Sequence, residues 1–441
     1  MEQSLVLDQT QQNSSTTWSA ITRVAFRFFL VYFGLFCLGT QIFVGLLGIV
    51  GWFPPEVTLR WIQMRPILDW AAVNIFHLDA ASLYVESGSG DRAFDWVSLA
   101  CWLFLAGAAT LIWSVLDRRR MNYVTLHKWF RLLIRFSLAG QMISYGAAKA
   151  IPAQMPFPSL EKLVQPFGSF SPMGVLWSQV GVSQPYEILL GCAELLAGLL
   201  LILPRTTTLG ALLCLVETAH VFILNMTYDV PVKILSFHLI LLSLVLLAPD
   251  FRRLANFFLS SRAVAPSTQP QLFRTRRANR IASAAQVALG LWILVPAVLS
   301  SWVLWDTVGG GRDKSPLYGI WNVAEFSVDG QQRPPLLTDN DRWRRVIFDD
   351  PAVITYQHMD DSLVYNEAKV DIDRHTIALT NSDDESRTVS FTFEQPAADR
   401  LALGGELNGH KVRMSLERVD TNTFTLMERG FHWVQEYPYN R

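Results

Sequence analysis

The run Val-Glu-Thr-Ala-His-Val-Phe-Ile-Leu-Asn over residues 216–225 sets Glu217 and His220 three positions apart inside an apolar stretch. In a helix that spacing puts both side chains on one face. An ionisable group near a bilayer centre costs about 2.5–3.5 kcal/mol on insertion scales, so each must face protein, water or a ligand. Tyr145, Lys149, Glu187, Glu194, Asn225 and His238 are the other polar groups of this kind in neighbouring apolar runs. At a rise of about 1.5 Å per residue, Glu194 and Glu217 lie about 15 Å below the outer boundary, His220 about 10 Å and His238 about 7 Å. Tyr145, Lys149, Glu194, Glu217, His220 and His238 are therefore predicted to converge on one polar pocket in the outer half of a helical bundle.

A carboxylate beside an imidazole can exchange the proton that accompanies quinol chemistry, or hydrogen-bond a carbonyl. That combination suits the polar head of an otherwise apolar molecule: a quinone, a lipid or an isoprenoid. The structural alternative is a packing pair, with a protonated Glu217 bonded to His220 or to a neighbouring helix. Metal chemistry is poorly served. The Glu-x-x-His spacing of di-iron bundles needs two copies and two further Glu, and one copy is present. His220 and His238 lack the small residues that would clear space for a porphyrin. No metal site is predicted and no cofactor is identified; a quinone is the candidate. No nucleotide loop or Ser-His-Asp arrangement is present.

These residues need a membrane domain to hold them. The chain has 441 residues, 51% hydrophobic and 17% charged, too apolar for an ordinary soluble enzyme. Apolar blocks of bilayer-spanning length predict seven crossings, at 24–51, 95–116, 128–150, 184–203, 208–227, 233–249 and 281–304, the sixth being the shortest. Arg118, Arg119, Arg120, Lys128, Arg205, Arg252, Arg253 and the arginines of 262–280 fall on one side, which is predicted to be cytoplasmic. This reading gives a cytoplasmic N-terminal tail (1–23), a helical membrane domain (24–305), a linker (306–316) and an exported domain (317–441) in the periplasm or outside the cell, in a bacterial inner membrane. The first 20 residues lack signal-peptide features, so the first crossing is expected to direct its own insertion. Cys37, Cys101, Cys192 and Cys214 all fall in crossings, which argues against a disulfide framework, although Cys192 and Cys214 are on neighbouring helices.

Between the first two crossings, Leu59, Ile62, Ile67, Trp70, Val73 and Phe76 predict an interfacial amphipathic helix kinked at Pro66. The Gly88-Ser-Gly-Asp91 that follows reads as a turn whose amides could also hold an anion. Residues 151–172 carry five prolines and predict a structured outer cap, and 252–280 read as a flexible basic linker able to lie on anionic lipid. Nucleic acid is excluded as a partner, because no fold or aromatic platform accompanies the charge. From 317 onward the period changes to two, and nine or ten short runs predict an antiparallel barrel or sandwich, ending in NTFTLMERG and FHWVQEYPYN with Phe431 and Trp433 packed over it. His358, His375, His410 and His432 have no ligand spacing.

Residues 128–250 resemble DoxX-type membrane proteins, the group named for the small subunit of a terminal quinol oxidase. The resemblance rests on Arg135, on Gly146-Ala-Ala-Lys149, on Glu194-Leu-Leu-Ala-Gly198 and on Arg205, with the Gly-Ser-Gly-Asp segment as in longer DoxX-like chains. It implies a four-span core linked to quinones, thiosulfate oxidation or membrane redox stress, and carries most directly onto Lys149, Glu194 and Arg205. Gly319-Ile-Trp321 resembles the Gly-x-Trp of lipocalin-like barrels, which implies a Trp closing the barrel base under a ligand cavity. The expected function is an accessory membrane protein binding a quinone, lipid or other apolar molecule. The alternatives are a quinone-linked oxidoreductase subunit and a scaffold for a redox complex.

Overall fold

Without water, a backbone inside lipid can satisfy its polar groups only as a helix or a closed barrel, and this chain contains both. The computed structural model describes residues 17–42, 63–85, 87–264, 271–381 and 384–440. The end of the first expected crossing, Leu59 and Ile62 of the amphipathic segment, and Pro266–Pro270 of the basic linker lie outside the described residues. The chain divides into two units, one of Met1–Met155 with Val175–Trp305, the other of Pro156–Gly174 with Asp306–Arg441.

The helices are α1 (Ala20–Gly39), α2 (Arg65–Asn74), α3 (Ala93–Leu116), α4 (Val124–Ala150), α5 (Leu160–Val164), α6 (Pro172–Gly181), α7 (Gln184–Ile202), α8 (Thr207–Thr227), α9 (Lys233–Leu247), α10 (Phe251–Leu259) and α11 (Arg276–Thr307). Among the described residues six helical stretches are long and apolar enough to cross a membrane: α1, α3, α7, α8 with its preceding turn, α9 continued through α10, and α11. The stretch expected to be shortest runs 27 residues, Lys233–Leu259. The expected third crossing, α4, has 27 residues but is less apolar, since it carries Arg131, Arg135, Gln141 and Lys149. Every residue from Ile134 to Ile143 is buried, so this polarity faces protein.

The segment after the first crossing differs from expectation. Pro66 stands in the first turn of α2, where a missing N–H costs nothing, and so opens the helix instead of kinking it. Leu68, Ala71 and Ala72 form the buried face, which leaves Ile67 and Trp70 exposed. Gly88-Ser-Gly-Asp91 holds a helix end: Asp91 Oδ2 and Oδ1 accept the backbone N–H groups of Lys233 (2.7 Å) and Ile234 (2.9 Å) at the start of α9. A carboxylate there satisfies orphan donors and meets the positive end of the helix dipole.

In the second unit the strands are β1 (Gly319–Val328), β2 (Gln331–Gln332), β3 (Trp343–Asp350), β4 (Val353–His358), β5 (Leu363–Asp371), β6 (Thr376–Asn381), β7 (Asp384–Ala397), β8 (Arg400–Leu407) and β9 (His410–Arg418). Each long strand pairs antiparallel with the next, and β1 pairs with β9 to close an eight-stranded barrel, the two-residue β2 lying against β1. Closure removes the free edges. Inward residues form one apolar cluster that includes Trp321, Phe326, Trp343, Phe348, Phe391, Leu401 and Leu416. The expected last two strands do not form: after β9 come a short turn and the one-turn helix Thr425–Glu428, and Phe431 (79% exposed) and Trp433 (91%) contact each other away from the core.

The barrel unit also takes in residues from far upstream. Leu160 on α5 is buried with Ile320 and Ile347. Thr355 Oγ1 donates to Glu161 Oε1 at 3.3 Å, and Gln357 Nε2 donates to the Val164 carbonyl at 3.3 Å. Burial, then the nearby Asp349 carboxylate, push the Glu161 carboxyl above its ordinary range. Arg312 in the expected linker pairs with Asp349 at 2.6 Å, so part of that linker is fastened to the barrel.

Candidate functional site

The site begins with glycines. A Cβ on Gly191 would stand 2.2 Å from the Ala150 nitrogen, and one on Gly146 would stand 2.5 Å from the Leu195 nitrogen. A Cβ on Gly198 would meet Ile143 Cγ1 at 2.8 Å. These three glycines let the α4 and α7 backbones touch, the way small residues bring helices together where no water drives association. The approach sets Lys149 against Glu194, with Nζ 2.9 Å and 2.8 Å from the two carboxylate oxygens and both side chains buried. Each charge thereby neutralises the other; a buried ion is tolerated on that condition.

Tyr145 lies one turn before Lys149, its ring 5.6 Å from Nζ. Gln41 Nε2 donates to the Tyr145 hydroxyl at 3.0 Å and to Gln141 Oε1 at 2.9 Å. Tyr145, Lys149, Glu194, Glu217 and His220 all line one cavity of about 110 Å³. That is several times the roughly 10–15 Å³ one water needs. Met142, Met155, Leu176, Val180, Leu224 and Leu239 supply apolar wall.

Glu217 and His220 are less enclosed than the pair beside them, Glu217 partly buried and His220 exposed. Neither makes a hydrogen bond among the described residues. The packing pair expected as the structural alternative is therefore absent in that form: the two side chains share a cavity wall without bonding each other.

His238 lies elsewhere. Its Nδ1–H donates to the Ile234 carbonyl at 2.6 Å and its Nε2 accepts from the Tyr32 hydroxyl at 2.6 Å, with the ring stacked on Phe36 at 3.9 Å. Both nitrogens are occupied, which leaves neither free for a ligand. Depth was the basis for grouping His238 with the others, but rotation separates it. At about 100° per residue it points about 100° away from the face of Leu235, Ser236 and Leu239 that lines the cavity.

Two lining residues, Gln154 and Trp177, were not singled out by sequence, and Asn225 was not placed in the pocket. Gln154 sits just after α4 with its Oε1 buried and without a hydrogen-bond partner. Trp177 donates its indole N–H to the Gln154 carbonyl at 3.1 Å. Asn225, noted only as a polar group in an apolar run, donates to Ser236 Oγ at 3.0 Å. The signal for Gln154 was faint: an amide flanked by prolines at a helix exit. Glu187 is fully buried, accepts the Met155 N–H at 2.8 Å and leaves its second oxygen without a partner, but does not line the cavity.

The remaining pattern residues are dispersed. Arg135 is buried two to three turns into α4, and Arg205 is exposed in the turn before α8. In the barrel, Gly319 has φ +150° and a Cβ there would stand 2.9 Å from Arg418 Nε. Trp321 is 1% exposed, donates to the Leu317 carbonyl at 3.0 Å and lies under the Arg418 guanidinium, 6.0 Å away. All four cysteines are free, Cys214 buried and Cys192 exposed. Among the described residues no three His, Cys, Asp or Glu side chains gather as a metal ion would require.

No protein-family model matches the chain, and no solved structure matches it. It is 31% identical over 129 residues to the uncharacterized protein YwoB of Bacillus subtilis (strain 168), an alignment covering 29% of this chain and 79% of YwoB. The chain belongs to the family of that protein.

Proposed function

We propose that this member of the YwoB family is an accessory membrane protein that holds an apolar molecule by its polar head, a quinone or a lipid, in the α4–α7–α8–α9 cavity. The observation carrying the proposal is the cavity wall itself. An internally neutralised Lys149–Glu194 pair stands beside Glu217 and His220, which make no hydrogen bond among the described residues, in otherwise apolar surroundings. Such a wall offers donors and acceptors to a carbonyl or hydroxyl while the apolar side chains take up rings or chains. Glu217 and His220 also favour a second reading, a quinone-linked oxidoreductase subunit in which the pair passes the proton of quinol oxidation.

In this reading residues 128–250 are a DoxX-like core, supported by the glycine contacts that seat Lys149 against Glu194. The barrel is lipocalin-like, supported by the burial of Trp321. The N-terminus is cytoplasmic and the barrel is periplasmic or extracellular in a bacterial inner membrane, supported by the arginine asymmetry of the loops. The test is mass spectrometry of small molecules retained by the full chain after gentle purification. A stoichiometric quinone or lipid is expected; repeated recovery of the folded protein with nothing bound in the cavity would overturn the proposal.

A further inference from the structure

A second cavity, of about 60 Å³, lies near the other end of α4. Lys128, Arg131 and Arg135 line it together with Thr207 and Gln286, and no carboxylate is among its lining residues. Arg135 is 7% exposed. It donates to Gln286 Oε1 and, at 3.4 Å, to Thr207 Oγ1, both neutral acceptors, while its Nε–H is buried without a partner. Among the described residues no acidic side chain bonds to it. A guanidinium cannot shed its charge to escape burial, so an isolated one in an apolar bundle calls for an anion.

The surroundings add to that demand. Lys128 Nζ is held by the Gln271 carbonyl at 2.7 Å and Arg131 by the Leu246 carbonyl at 3.4 Å; the Asp250 carboxylate acts on Arg131 from outside the lining and is shared with Thr208 and Arg253. Thr207 opens the 21-residue helix α8, whose first turn has no acidic residue and no side-chain cap. The positive end of a helix dipole thus meets the same space. Three cations beside the single Asp250 carboxylate exceed what one neutral head could satisfy. They match a group with several charged oxygens, and the planar guanidinium matches phosphate in particular.

We propose that the cavity lined by Lys128, Arg131, Arg135 and Thr207 is a binding site for a phosphate group, carried by an anionic lipid or free as inorganic phosphate. It is separate from the cavity of Glu217 and His220 and does not rest on what that cavity holds.

The test uses the full chain in neutral detergent, following its thermal unfolding midpoint. One arm titrates inorganic phosphate against chloride of matched ionic strength; the other titrates phosphatidic acid against phosphatidylcholine in mixed micelles. The midpoint should rise with phosphate, with phosphatidic acid, or with both. A response to the lipid alone assigns the phosphate to a headgroup, and a response to the free ion assigns a soluble source. The double variant Lys128→Gln/Arg131→Gln, measured against its own midpoint in chloride, should need at least tenfold more ligand for half the shift. Arg135→Gln should fold without added anion and show no shift; if it fails to fold, the double variant still decides. A rise no larger than in the matched controls, or one retained in the double variant, would overturn the proposal.

Discussion

Helix α4 carries two buried cations, Lys149 in its last turn and Arg135 about three turns in from its start, and the two are treated differently. Lys149 is answered by both oxygens of Glu194 across a contact that glycines make possible, whereas Arg135 is answered only by the neutral oxygens of Gln286 and Thr207. The Lys149–Glu194 pair is therefore neutral by its own means, which suits an uncharged polar head in the first cavity. The second retains positive charge and suits an anion. Ligand class at each end follows from whether the protein supplies the counter-charge, since burial alone is common to both.

The largest effect should come from breaking the neutral end. Lys149→Ala or Glu194→Ala alone strands one buried charge, at a cost of about 3–5 kcal/mol, while Lys149→Met with Glu194→Leu removes both and should restore most of the loss. Thermal unfolding in detergent reads this cycle. If the double variant were no more stable than either single variant, mutual neutralisation would not be what the pair provides.

A smaller loss should separate structural from site polarity at the same depth. Tyr32→Phe deprives the buried Nε2 of His238 of its hydrogen-bond partner, which should cost about 1–3 kcal/mol. Because His238 does not line the cavity, retention of its ligand should be unchanged. Loss of ligand at unchanged stability would return His238 to the site.

The smallest effect concerns a buried carboxyl answered by a neutral donor, the Thr355 hydroxyl. Glu161 has its carboxyl pushed upward by burial and by Asp349. A raised folded-state value means that this group's contribution is fully present below the ordinary carboxylate range and is lost as pH rises through the folded value. The protection of residues 156–174 against hydrogen exchange, taken relative to the intrinsic rate at each pH, should therefore fall from mildly acidic toward neutral pH, and Glu161→Gln should flatten the dependence. Lower protection on acidification would reverse the assigned sign.

Much of this was legible in sequence because it is local or periodic. The period of two gave the barrel strands, and the apolar runs gave the membrane helices. Depth counting brought together five of the six expected pocket residues, but it ignores rotation, which is how His238 was misassigned. Long-range pairing was not legible. Nothing near Leu160 announces that it packs with Ile320 and Ile347, so residues 156–174 read as a loop cap and not as part of the barrel unit. The two runs after β9 had strand-like composition, but β1 already pairs with β9, leaving no edge for a further strand to join. The cavity near Arg135 also escaped, because an arginine in an apolar run looks the same in sequence whether or not a carboxylate faces it.

The central claim is that Glu217 and His220 serve a ligand and not the packing of the bundle. The measurement that tests it most directly is the amount of small molecule retained per folded protein in Glu217→Gln and His220→Ala, set beside each variant's unfolding midpoint. The account predicts at least a fivefold fall in retained quinone or lipid with the midpoint essentially unchanged. Full retention in both variants, or a midpoint that collapses with no ligand found even in the wild type, would contradict it.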